Sequence, residues 1–281
     1  MPSIEKITKP SDIIDTETLS TLKSCKKFYL ESIILKIMGD FPDLNENIKG
    51  YIKKTHDNQE NDDINKLLSS ANFPGHPEHY RLSDFDPSSL SEKDLKEYEE
   101  LSKLSFLNSK KKPNILLYGL PDCGRDKVAI GLGDACCRAK MSVYYIPYST
   151  FVETIRTRVN PASKKIYEIM QKANCLIIDN FAGTRVYDQD ILDCITQFLE
   201  ERAQSHTDSC IQHEHNKSKP HIPRCTIVTS LFQPANWVGT MDQHEKKTFI
   251  LARLFYSSHA TIINIDDATT QSTDNQSVTD T

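Results

Sequence analysis

The 281-residue chain predicts an α/β fold: a parallel five-stranded sheet flanked by helices, with a helical N-terminal region ahead of it. Three observations predict it. From Pro113 onward, short apolar runs rich in β-branched residues alternate with helix-period segments. The first run, Ile115–Tyr118, leads into a glycine-framed turn and then a helical stripe of Val128, Ile130, Leu132, Ala135, Cys136 and Ala139. No apolar stretch approaches the roughly 20 residues that a membrane span needs, so no membrane partner is expected.

In chain order, residues 1–63 predict a helical N-terminal region. Leu19, Leu22, Phe28, Tyr29, Ile33, Ile34 and Ile37 give it an apolar face after Asp15 or Thr16 as cap. Its last residues, Thr55 to Asp63, are polar and acidic and predict a linker. Residues 64–112 form a lead-in segment with a charged helix starting at Ser91. Residues 113–268 carry the sheet, with strands at 115–118, 143–147, 175–179, 225–229 and 261–265, and helices near 126–140, 149–158, 162–173, 189–204 and 243–256. The tail, 269–281, is Ser, Thr, Asp, Asn and Gln and predicts disorder.

Hydrophobic residues make up 38% and charged residues 26%, a globular composition, and the net charge of −5 confines any nucleic-acid contact to a local patch. Met1 to Lys6 lacks the apolar core of a secretion signal and the arginines of a transit peptide. Most of the eight cysteines fall in strands or apolar helix stripes, where thiols act as small core residues, and a reducing cytoplasm is the expected location.

The turn Gly119-Leu120-Pro121-Asp122-Cys123-Gly124-Arg125-Asp126 follows a strand and opens a helix, the setting of a phosphate-binding loop. Such a loop cradles phosphates with backbone N–H groups and ends in Lys, for the β and γ phosphates, and Ser or Thr, for Mg²⁺. Here Arg125 and Asp126 take those two places. Arg125 keeps the charge but replaces a compact ammonium by a planar fork. Asp126 and Asp122 bring carboxylates near the phosphates, each pair costing about 1 kcal/mol at ~4 Å in water-like surroundings and about 4 at the effective dielectric of a protein surface. An ordinary strand-to-helix turn is the alternative reading of the loop alone. The run Asn174–Asn180 ends a buried strand in Asp179, the pattern of a Mg²⁺-holding acid. Asn180 follows where an ATPase would place a water-activating Glu, and an amide cannot take that proton. After the strand at 225–229 comes Ser230-Leu231, where a polar γ-phosphate sensor would be expected; Leu231 cannot donate a hydrogen bond.

Together these segments resemble the IstB/DnaC-like branch of the AAA+ P-loop ATPases, helper proteins of transposition and helicase loading. The resemblance covers residues 64–266. It includes Ile64–Leu68 with Ala71–Pro74, Leu82–Asp86, Leu101–Leu107, Pro234–Trp237 and Phe249–Leu254. It implies ATP and Mg²⁺ as ligands, with Gly119 to Asp126, Asp179 and Asn180 around the nucleotide and Asp179 on the metal. It implies that Arg253 reaches a neighbouring subunit's nucleotide, and so self-association into an oligomer. It makes Arg156, Arg158, Lys164, Lys165 and Lys172 candidates for DNA backbone contact, and a transposase or helicase-like protein the expected partner, recognised through residues 1–63. Without the resemblance, the same five cations read as two solvated helix faces.

Arg125, Asp126, Asn180 and Leu231 each replace a group that handles phosphate, metal or water. Asp266 and Asp267 stand where the family usually carries a basic residue. The resemblance therefore implies a DNA-associated helper that binds ATP weakly and hydrolyses it little or not at all. The alternative is a scaffold or regulatory module that binds neither nucleotide nor DNA. Residues 205–223 hold His206, His213, His215 and His221 and predict a polar exposed insertion; Cys210, His213 and His215, with Cys225 nearby, are close enough in sequence to share a zinc ion.

Overall fold

The protein is seen in a computed structural model that describes residues 46–75, 81–108, 113–183, 189–218, 221–237, 252, 254–255 and 260–265. The chain divides into two compact units, Met1–Asp63 and Ile64–Thr281. Helix α1, Glu46–Ser70, runs across that division. The expected linker at 55–63 is thus helical. No Gly or Pro interrupts residues 51–73, so polarity alone gives the helix nothing to break on. It ends at Ser70, with Asn72 in the left-handed region at φ 60° and Pro74 beyond it. The expected helical face at 19–37 lies outside the described residues.

In the second unit, α2 (Glu92–Ser102) starts on Ser91, whose hydroxyl accepts from Asp94 N. Then follow β1 (Asn114–Tyr118), α3 (Arg125–Arg138), β2 (Val143–Pro147), α4 (Tyr148–Arg156), α5 (Pro161–Lys172), β3 (Cys175–Asp179), α6 (Gln189–His215), β4 (Cys225–Ser230) and β5 (Ala260–Asn264). The five strands form one sheet in the order β2-β3-β4-β1-β5, every pair parallel. These are the five strands that the sequence predicts, each within a residue of the expected bounds.

Successive strand side chains point to opposite faces, so each strand feeds two cores. Leu116, Ile146, Leu176, Ile178 and Val228 pack with α4, α5, α6, Trp237 and Phe255. Ile115, Leu117, Val143, Ile177, Ile227 and Ile263 pack with α2, α3 and Ala71 on the other face. Both faces being covered explains why the strands read as unbroken apolar runs. At Gly133 a Cβ would lie 2.8 Å from both Ile177 Cδ1 and Phe73 Cζ, so only glycine lets α3 approach the sheet this closely.

Helix α6 corrects the expected insertion at 205–223: it continues to His215. Its inward stripe runs Ile195, Leu199, Arg202, His206, Cys210, with polar residues taking over the apolar positions. Arg202 is 2% exposed. Its guanidinium donates to the carbonyls of Met170 (2.5 Å), Gln171 (3.1 Å), Ala173 (3.2 Å) and Cys225 (2.8 Å) and to Thr226 Oγ1 (3.3 Å). These acceptors include the orphan carbonyls at the end of α5, so a buried cation caps that helix and ties it to β4. Burial pushes the guanidinium down to about 10, still far above neutrality, so it stays charged. Among the described residues no helix is long and apolar enough to cross a membrane.

Candidate nucleotide site

The loop after β1 keeps its backbone frame. Gly124 caps α3 at φ +90°, a region L side chains enter at a cost, and Asp122 sits at φ 64°. Such a left-handed position favours glycine, and Asp is among the few other residues that tolerate it. Gly119 N donates to Ser230 O (3.2 Å) and Cys123 N to Leu120 O (3.4 Å), pinning the loop to β4 and to itself. Phe85 from the lead-in segment lies over Gly124, with its ring edge 3.5 Å from where a Cβ would be. Tyr98 backs Phe85 at 5.4 Å between ring centres and anchors the segment through its hydroxyl on Leu82 O (3.1 Å).

Arg125 is turned inward. Its Nη1 donates to Gly119 O and Leu120 O, both at 2.6 Å, and its Nε is buried without a hydrogen bond. Through Nη1 the guanidinium therefore clasps the loop's own carbonyls. Asp126 is exposed in the first turn of α3, where its charge suits the helix N-terminus and opposes an incoming phosphate.

Asp179 ends β3, next to β4, whose other neighbour is β1. Both carboxylate oxygens accept hydrogen bonds: Oδ2 from Tyr145 Oη (2.7 Å) and Oδ1 from Thr229 Oγ1 (2.5 Å). Thr229 Oγ1 in turn accepts from Asn180 N (2.8 Å). A carboxylate has about four acceptor sites, so two remain for a hard cation, a role that an oxygen donor such as Asp179 fits. Mg²⁺ bound there would supply charge neutralisation for the phosphates. Asn180 begins a tight turn with φ 54°, and its carboxamide folds over Gly183, where a Cβ would fall 2.4 Å from Nδ2. Ser230 is fully buried: its hydroxyl donates to Phe181 O (2.9 Å) and accepts from Trp237 Nε1 (3.1 Å) and Phe232 N (3.2 Å). It braces the turn after β3.

Gly119 to Asp126 thus follow the carboxyl end of β1, and Asp179 and Asn180 that of β3, two parallel strands with β4 between them; ligands of such sheets bind at this end. Sequence reasoning missed Tyr145 and Thr229, because a strand Tyr or Thr reads as a β-former and its hydroxyl's partner lies on another strand. Arg253 lies outside the described residues, as do Asp266 and Asp267.

The basic residues divide. Arg156, Arg158, Lys164 and Lys165 are exposed around the α4–α5 turn, with Arg156 on Glu153 at 3.0 Å. Asn160 caps α5 by accepting from Ala162 N (3.0 Å), and Thr157 and Ser163 share a hydroxyl hydrogen bond of 2.7 Å, so the turn is well fixed. Lys172 stands apart at the other end of α5, about 12 Å from Lys164 at 1.5 Å per residue, and lies 3.9 Å from Glu168.

The histidines form no metal centre: no cluster of three or more His, Cys, Asp or Glu among the described residues could hold a metal ion. His206 is buried, with Cys210 Sγ 3.6 Å from Nε2 and Cys225 Sγ 3.6 Å from Nδ1, so the two thiols lie off opposite nitrogens instead of converging. His221 bridges Leu107 O (2.6 Å) and Ser209 Oγ (3.3 Å).

A family model described as IstB-like ATP binding protein matches residues 44–276. The chain belongs to this family. Its AAA+ P-loop fold is also that of solved structures. A putative primosome component from Streptococcus pyogenes serotype M3 is 16% identical, with a TM-score of 0.50 over 73% of this chain and 96% of that one. The DnaI crystal structure is 15% identical, with a TM-score of 0.50 over 69% and 94%. No curated protein matches the chain. At these identities the structures speak for the fold, and the IstB-like family model for ATP binding.

Proposed function

We propose that this IstB-like protein is a nucleotide-binding, weakly or non-hydrolysing helper that acts on DNA in transposition or helicase loading. The observation that carries the reading is the pairing of a glycine-framed loop, Gly119 to Gly124, and Asp179 at the end of β3 with Asn180 where the water-activating acid would stand. Gly119 to Arg125 hold the phosphates, Asp179 supports Mg²⁺, and Arg253 completes a neighbour's site in an oligomer. Arg156, Arg158, Lys164 and Lys165, with Lys172 further along α5, contact DNA phosphates in a salt-sensitive, sequence-independent way. The N-terminal region, 1–63, recognises the transposase or helicase-like partner. Cytoplasmic location agrees with the thiols, of which Cys136, Cys137, Cys175, Cys210 and Cys225 are buried.

Thermal unfolding with and without millimolar Mg²⁺–ATP separates this reading from a scaffold that binds neither ligand. A ligand that binds only the folded state raises the midpoint, by about 2.7 kcal/mol of stability at 100 times its Kd. A rise is expected; an unmoved midpoint at saturating ATP sides with the scaffold. For the DNA contact, replacing Lys164 and Lys165 by Ala should lower the slope of log affinity against log salt by about 2, close to one per phosphate contact. An unchanged slope rejects these two residues as contacts.

A further inference from the structure

Tyr145 sits in the middle of β2, the edge strand beside β3, and is 6% exposed. Its backbone holds the lead-in segment: Tyr145 N donates to Ala71 O at 2.7 Å, and Asn72 Nδ2 donates to Tyr145 O at 3.0 Å. Its ring lies 6.4 Å from that of Phe73. Its hydroxyl reaches across to β3 and donates to Asp179 Oδ2 at 2.7 Å. One residue therefore grips both the segment that continues from α1 and the carboxylate that ends β3.

We infer that Tyr145 is a positioning residue for Asp179, coupling the seating of Ala71–Phe73 on β2 to the Mg²⁺-dependent part of nucleotide binding. The inference rests on the nucleotide reading and adds to it a route by which the site is regulated. A terminal carboxylate torsion is soft, with broad wells, so its direction is set by the groups that hydrogen-bond it. Thr229 fixes one oxygen and Tyr145 the other, so together they set the direction of the Asp179 carboxylate and leave about two acceptor sites on it. Thr229 is anchored inside the sheet, on β4. Tyr145 is on the edge, and two of its backbone hydrogen bonds go to Ala71 and Asn72, so release of that segment frees the strand that carries the hydroxyl. A partner that draws on the segment through α1 would loosen Asp179 without touching the nucleotide.

The test compares ATP affinity in Mg²⁺ and in EDTA for the full-length wild type, Tyr145→Phe and Asn72→Ala, with unfolding midpoints to establish that each variant is folded. Tyr145→Phe keeps the ring and removes only the hydroxyl. It should cut the Mg²⁺-dependent gain in affinity by about 10–100-fold, the usual effect of losing a group that orients a metal ligand, and leave affinity in EDTA unchanged. Asn72→Ala should act in the same direction by less. Equal weakening with and without Mg²⁺ in Tyr145→Phe, or none, overturns the inference, as does an Asn72→Ala variant identical to wild type. A wild type that binds ATP equally in Mg²⁺ and EDTA overturns it while leaving the nucleotide reading intact; a wild type that binds no ATP overturns both.

Discussion

Removing the charge of Asp126 should move stability and affinity in opposite directions. Asp126 is exposed in the first turn of α3, one residue beyond Arg125. Asp126→Asn takes a carboxylate away from a helix N-terminus, which costs about 0.3–1 kcal/mol of stability. The same change removes repulsion from phosphates seated in the loop. Because the side chain is exposed, the water-like end of the Coulomb range applies, about 1 kcal/mol per phosphate charge at ~4 Å. Two phosphates in range give about 2 kcal/mol, an ATP affinity roughly 30-fold tighter. Isothermal titration at low and high ionic strength reads the effect, which should shrink as salt rises because the group is screened. An unchanged or weaker affinity in Asp126→Asn would refute the reasoning, since it would mean that Asp126 helps a bound cation more than it opposes phosphate.

Two further outcomes follow from the core. Arg202→Ala leaves the buried carbonyls of Met170, Ala173 and Cys225 short of a donor and uncaps α5, and should cost about 4 kcal/mol, on the scale of breaking a buried charged contact. For a unit of this size that is a fall of roughly 8–16 °C in the unfolding midpoint, and a fall of under about 2 °C would contradict the capping role. The buried thiols predict alkaline sensitivity. Burial holds Cys137 up at about 12, from 9.0, and raises Cys225; Cys136 is raised first by its hydrogen bond with Cys175 and then by burial. Acids raised in the folded state contribute stability that is complete below the unfolded value and is lost as pH climbs through the folded one. The midpoint should therefore decline from about pH 9 towards 12 more steeply than in Cys137→Ala; parallel curves would remove this thiol from the account.

The strands were legible because β1, β3 and β4 are buried on both faces, which leaves unbroken apolar runs that little else in a soluble chain produces. The loop was legible because backbone geometry restricts residue choice: Gly124 and the left-handed Asp122 mark the turn whatever binds there. The far half of α6 was not. Arg202, His206 and Cys210 continue the spacing of Ile195 and Leu199, but an apolar search discards Arg and His, whose burial depends on carbonyls and thiols brought by α5 and β4. The helix at 55–63 escaped for a similar reason, since its sign was the lack of Gly and Pro and not any apolar face. Tyr145 and Thr229 at Asp179 were invisible because their hydroxyl contacts join strands 30 to 50 residues apart in sequence.

On the proposed reading, this member of the IstB-like family binds nucleotide and hydrolyses it weakly or not at all. The most direct measurement is phosphate release from ATP in Mg²⁺, on protein shown by titration to be saturated, in the wild type and in Asp179→Ala. Saturated wild type should release phosphate no faster than Asp179→Ala, because Asn180 cannot accept a proton from water. Turnover in the wild type that Asp179→Ala abolishes would contradict the account.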